Sequence, residues 1–164
     1  MIQKSIAGRL SLAAVAALGL FASTLAAPLA MAGECPKDQI AANAMAPGAT
    51  TPEGVTDEVL ASIDLSSKGS AWEGNALRLR KLVVQPGGIV PWHSHDARPA
   101  NILVVEGTIT EYRSSYKVPI EHKAGEVTAE FGDLAHWWKN NGAKPAVLYS
   151  ADILPPMASD ADTM

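Results

Sequence analysis

The sequence predicts an all-β domain, a sandwich or barrel, set behind an N-terminal export segment. Three observations carry this prediction. Between Leu77 and Ile153 the chain is a series of short apolar and β-branched runs. Glycine, asparagine and proline turn signals separate those runs, and no stretch among them keeps a helical period. The total of 164 residues suits one domain.

The segments follow in order. Lys4 and Arg9 precede an apolar run from Leu10 to about Leu20, and an Ala-rich stretch ends in Ala30-Met31-Ala32. A basic start, a short apolar region and small residues before a cleavage point are the layout of a secretory signal peptide, assigned to residues 1–32. The run is interrupted by Ser23, Thr24 and Pro28, short of the roughly 20 apolar residues a membrane span needs, so no membrane anchor is expected. The expected location is therefore periplasmic or secreted. Loss of Lys4 and Arg9 would take the net charge from −4 to −6, since no acidic residue precedes Glu34. An acidic chain without a basic cluster argues against a nucleic-acid partner. Cys35 is the single cysteine, so no internal disulfide can form.

Residues 33–68 read as an arm rich in Ala, Pro, Gly and Thr, within which Val55 to Leu65 fits a short strand or a helical turn equally well. The barrel is assigned to 69–155. Leu77-Arg78-Leu79-Arg80 alternates, Leu82-Val83-Val84 continues as an apolar run, and Pro86-Gly87-Gly88 is expected to end that strand. Further strands are expected at Ile89 to Trp92, Asn101 to Val105, Thr108 to Tyr112, Val118 to Ile120, Val127 to Phe131, His136 to Lys139 and Ala146 to Ile153. Pro155-Pro156 ends the regular structure, leaving an acidic tail over 156–164.

Chemistry concentrates on three of the four histidines. His93 and His95 are two apart, so a strand turns both to one face, and His136 opens a later strand that could close the set. Three neutral imidazoles bind a borderline divalent cation and leave positions open for water or substrate. An isolated His-x-His pair beside Pro91 and Pro99 would by spacing alone be a surface turn, so the surrounding residues decide. Gly87 stands six positions before His93-Ser94-His95, and Gly107 lies downstream. Gly125 leads to Phe131-Gly132-Asp133, then His136 and Asn140.

These two segments resemble the paired motifs of the cupin superfamily, over roughly Leu77 to Ile153. Three positions depart from the pattern: Ala100 stands where the first motif has its glutamate, and Phe131 and Asp133 replace the proline and second glycine of the other. The resemblance implies a single conical, jelly-roll-like barrel of two antiparallel sheets with a small-molecule pocket. It also implies one divalent transition metal (Fe, Mn, Zn, Ni or Cu) on His93, His95 and His136. Loss of the motif carboxylate weakens hard-metal binding, although some thiol dioxygenases of this superfamily hold iron on three histidines alone.

Glu111 could supply a carboxylate if it faces inward; a solvated glutamate on the barrel surface is the plainer expectation. Arg98, Tyr112 and Trp138 are candidate substrate contacts, with a solvated loop arginine the plainer role for Arg98. His122, between Glu121 and Lys123, reads as exposed loop. The implied activity is oxygenase- or isomerase-like, on a small organic molecule. The alternative is a non-catalytic barrel that binds a small ligand, with or without metal, and exposed strand edges are compatible with a homodimer.

Overall fold

The computed structural model describes residues 31–156, in which nine strands follow one another: β1 (Met31–Ala32), β2 (Glu53–Asp64), β3 (Ala76–Ser94), β4 (Ala100–Glu106), β5 (Thr108–Arg113), β6 (Ile120–Lys123), β7 (Val127–Glu130), β8 (Ala135–Lys139) and β9 (Ala146–Leu154). Three single-turn 3-10 helices interrupt them, and no α-helix occurs among the described residues. The expected signal peptide, apart from Met31 and Ala32, and the tail beyond Pro156 lie outside the described residues. Met31 and Ala32 pair in parallel with Ile120 and Glu121.

Two sheets share β3. Its first part pairs with β2 and β9, giving the order β2–β3–β9–β4–β7. Its last part, from Ile89 to Ser94, pairs with β8, giving β3–β8–β5–β6–β1. Apart from the short parallel β1–β6 pair, every pairing is antiparallel, and the two sheets enclose a jelly-roll-like barrel. The region left open between strand and helix is the twelve-residue β2, which runs against β3 from Glu53↔Ile89 to Asp64↔Ala76.

Pro86-Gly87-Gly88 does not end a strand. It lies inside the 19-residue β3, at the point where the chain leaves one sheet for the other. Strands that turn such corners need bends or bulges. Gly87 takes φ +80, and a Cβ on Gly88 would come within 2.8 Å of the Gln85 carbonyl oxygen and 2.9 Å of the Glu53 carbonyl oxygen. The corner is tied to the turn after β8: Gly87 N–H donates to the Asn140 carbonyl (2.8 Å), and Asn140 N–H donates to that of Gly88 (3.0 Å).

Leu82, Val84, Val90, Val104, Ile109, Trp138, Ala146 and Leu148 form the apolar core. On β3 the inward phase places Arg78 and Arg80 inside, 7% and 6% exposed, and leaves Leu77 and Leu79 outside at 39% and 40%. Asp152 on β9 is the register partner of Arg78 and receives both guanidiniums; Asp57 on β2 pairs with Arg80.

Candidate metal centre

His93 lies near the end of β3, directly opposite His136 on β8 in the antiparallel ladder. His95 follows β3 and is held by its own backbone N–H, which donates to the Leu134 carbonyl at 2.8 Å. The three rings meet with centroids 4.7–4.9 Å apart. The His93 Nε2 atom is 2.9 Å from that of His95 and 3.3 Å from that of His136.

The outer nitrogens explain how the rings are held. His93 Nδ1 faces the Pro91 carbonyl (2.8 Å), His95 Nδ1 the Arg98 carbonyl (2.8 Å), and His136 Nδ1 the Glu111 carboxylate (2.6 Å). Each of these partners only accepts, so each Nδ1 carries the proton. A neutral imidazole has one proton, which leaves the three Nε2 lone pairs aimed at a common point. Burial, and then the neighbouring His136, pushes the His93 pKa down to about 2, so its ring stays neutral across the physiological range. Converging lone pairs repel one another unless a cation lies between them. The donor set therefore fits a borderline divalent metal, with orienting acceptors behind each ligand.

Glu111 is fully buried, at 0% exposure, and not a solvated surface residue. It does not reach the Nε2 focus. One oxygen accepts from His136 Nδ1 and from Arg113 Nε (2.7 Å), and the other lies 3.1 Å from His122 Nε2. Burial alone would raise its pKa, but those hydrogen bonds and the Arg113 charge hold it far below the usual carboxylate range. His122 is accordingly a buried residue of β6, not exposed loop: register with Ile109 turns it inward onto Glu111. Its neighbours Glu121 and Lys123, both charged, mask this alternation in the sequence.

Arg98 is buried, not solvated, and lines the cavity beside the histidines with Arg80, Leu82, Val90, Ile102, Trp138, Leu148 and Ser150. That cavity is narrow, about 40 Å³, space for a few water-sized groups. Trp138 is both core and wall: its Nε1–H points to His136 Nε2 at 3.4 Å. Tyr112 does not line the cavity. Being one residue from Glu111 it faces the opposite side of β5, where it stacks on Trp137 with centroids 4.1 Å apart. Tyr116 lines a separate groove of about 450 Å³ beside Cys35 and His122.

Sequence reading missed Glu130, the last residue of β7. It is buried, with Oε2 3.0 Å from His95 Nε2 and Oε1 3.5 Å from His136 Nε2. Its place before Phe131-Gly132-Asp133 falls at no motif position, so nothing in the linear pattern marks it.

Fold and site together define a double-sheet β-barrel with an internal three-histidine cluster. Residues 80–152 of this barrel match the model of the cupin domain. The chain is 33% identical over 85 residues to the auxin-binding protein ABP19b of Prunus persica, covering 50% of this chain and 41% of that protein. It is 34% identical over 73 residues to germin-like protein 5-1 of Oryza sativa subsp. japonica, covering 42% of this chain and 32% of the relative. The chain thus spans less than half the length of these relatives. Among solved structures, the cupin domain of Schizosaccharomyces pombe Cnp3 superimposes with a TM-score of 0.51 at 12% identity, over 65% of each chain. That likeness concerns the fold alone.

Proposed function

We propose that this protein is an exported metal-binding cupin in which His93, His95 and His136 hold one divalent transition metal facing a small-molecule cavity. The observation that carries the reading is the convergence of three Nε2 atoms whose Nδ1 positions are each committed to an acceptor. When bound, the metal would supply Lewis acidity, or redox chemistry if it is iron, manganese or copper. The chain's own residues do the rest. Glu111 and the Pro91 and Arg98 carbonyls keep the ligand protons on the outer nitrogens. Leu82, Val90, Ile102, Trp138 and Leu148 wall off bulk water, while Arg80 and Arg98 face the cavity together with Asp57 and Glu130, so that its polar lining carries both signs of charge.

The size of the cavity favours a small organic ligand. Oxygenase- or isomerase-like turnover is one use of such a site, and ligand binding without turnover is the other. One relative, ABP19b of Prunus persica, is named as an auxin-binding protein, which is in keeping with ligand binding as the function. Elemental analysis of untagged protein tests the proposal. Near-stoichiometric metal that drops in His93→Ala, His95→Ala and His136→Ala is expected. No metal, and none taken up from iron, manganese, zinc, nickel or copper, would overturn it. Dioxygen uptake across a panel of small thiols, phenols and diketones separates oxygenase from binder. N-terminal sequencing of periplasmic or culture fractions tests export, with a mature start at Gly33 expected.

A further inference from the structure

We propose that Glu130 supplies the carboxylate ligand of this centre, so that the acidic position has crossed from β4, where Ala100 now stands, to the facing residue of β7. The inference rests on the reading that the three histidines bind a metal, and adds a fourth ligand from a strand that the motif does not use.

The ladder provides the geometry. Ala100 and Glu130 are direct register partners in the antiparallel β4–β7 pair. Residues opposite one another project to the same face with Cβ atoms roughly 5 Å apart. A carboxylate removed from position 100 can therefore be replaced from position 130 without reversing either strand. The methyl group of Ala100, itself buried, leaves the longer side chain room.

The polar accounting supplies the independent support. Glu130 is 1% exposed, and its Oε1 is a buried oxygen with no hydrogen-bond partner among the described residues. A carboxylate oxygen left in that state has lost its water and gained no partner, which disfavours the folded site. A cation at the Nε2 focus serves both oxygens. Glu130 also belongs, with Glu111 and His136, to a second set of residues whose potential ligand atoms lie within 4.8 Å of one another. Since the oxygens of Glu111 are committed to His136, His122 and Arg113, Glu130 is the carboxylate available. A site of three imidazoles and one carboxylate carries one negative charge and a hard donor, which favours manganese or iron more than three imidazoles do.

The test compares full-length wild type with Glu130→Gln, Glu130→Ala and the double variant Glu130→Ala/Ala100→Glu. Mn(II) affinity is read by titration and the Co(II) absorption spectrum after loading. A loss of tenfold or more in Mn(II) affinity and an altered Co(II) spectrum in both single variants are expected, with recovery in the double variant. Melting of the metal-free proteins shows whether each is folded, and Glu130→Gln keeps the volume should the alanine variant fail. Wild-type affinity and an unchanged Co(II) spectrum in Glu130→Gln, with metal still lost in the histidine variants, would overturn this inference alone. Absence of metal from wild type would overturn the histidine reading as well.

Discussion

At the residue scale, the site shows how much of a ligand's chemistry lies one atom behind it. His136 presents Nε2 to the cluster because Glu111 accepts a hydrogen bond from its Nδ1–H, and Glu111 stays ionised because His122 and Arg113 also bond it. Removal of such orienting partners typically costs 10–100-fold in metal affinity. Glu111→Gln is expected to lose affinity by that factor in a chelator-competition titration while still binding metal, because the three Nε2 donors remain. An unchanged affinity would show that the His136 ring is oriented by packing alone. Arg98 acts on two levels: its carbonyl orients His95, and its side chain lines the cavity. Arg98→Met keeps the carbonyl, so it is expected to preserve metal content and weaken only the binding of anions such as acetate.

At the scale of the elements, the corner in β3 positions the centre. Val84 and Val90 belong to different sheets' faces of one strand, and His93 reaches β8 only because the chain turns between them. Asn140 secures this corner. Its Nδ2 donates to the Val84 and Lys144 carbonyls, both at 2.8 Å, and its Oδ1 accepts from Gly142 N–H at 2.9 Å. The asparagine that closes the second motif is thus a brace between strands, not a ligand. Asn140→Ala leaves buried polar groups without partners and is expected to destabilise the fold by roughly 2–4 kcal/mol in urea unfolding. Gly88→Ala brings a methyl group against backbone oxygens at 2.8 and 2.9 Å. An effect of about 1–3 kcal/mol is expected, with His93 displaced along with the corner.

The whole molecule buries charge where a simpler barrel would bury leucine. Arg78, Arg80 and Arg98 gather around Asp152, with Asp57 on the far side of Arg80. Burial would raise the Asp152 pKa, yet the hydrogen bonds and charges of Arg78 and Arg80 outweigh it and hold the carboxyl below its usual value. A carboxyl depressed in the folded state stabilises fully above its unfolded pKa of about 3.9. That contribution is lost as pH falls through the lower folded value. Thermal melts are therefore expected to drop below about pH 4, and Asp152→Asn to flatten that slope. Because the variant leaves buried guanidiniums uncompensated, it should also cost about 3–5 kcal/mol at neutral pH.

Local pattern in the sequence determined what depends on neighbours along the chain. The alternation and turn residues marked the strands from Asn101 to Ile153 to within a few residues of their observed ends, and the i, i+2 spacing with two glycine-flanked motifs marked His93, His95 and His136. Tertiary structure decided whatever depends on which strand lies opposite. Leu77-Arg78-Leu79-Arg80 alternates identically in either phase, and only Asp152 and Asp57 across the ladder select the one that buries arginine. His122 and Glu111 read as surface until β5 and β6 pair and turn them toward each other. Glu130 sits thirty residues from the alanine it faces, a relation created by the β4–β7 register and invisible to any count along the chain. Pairing across strands converts distant residues into neighbours, and the chemistry of this centre is set at those pairings.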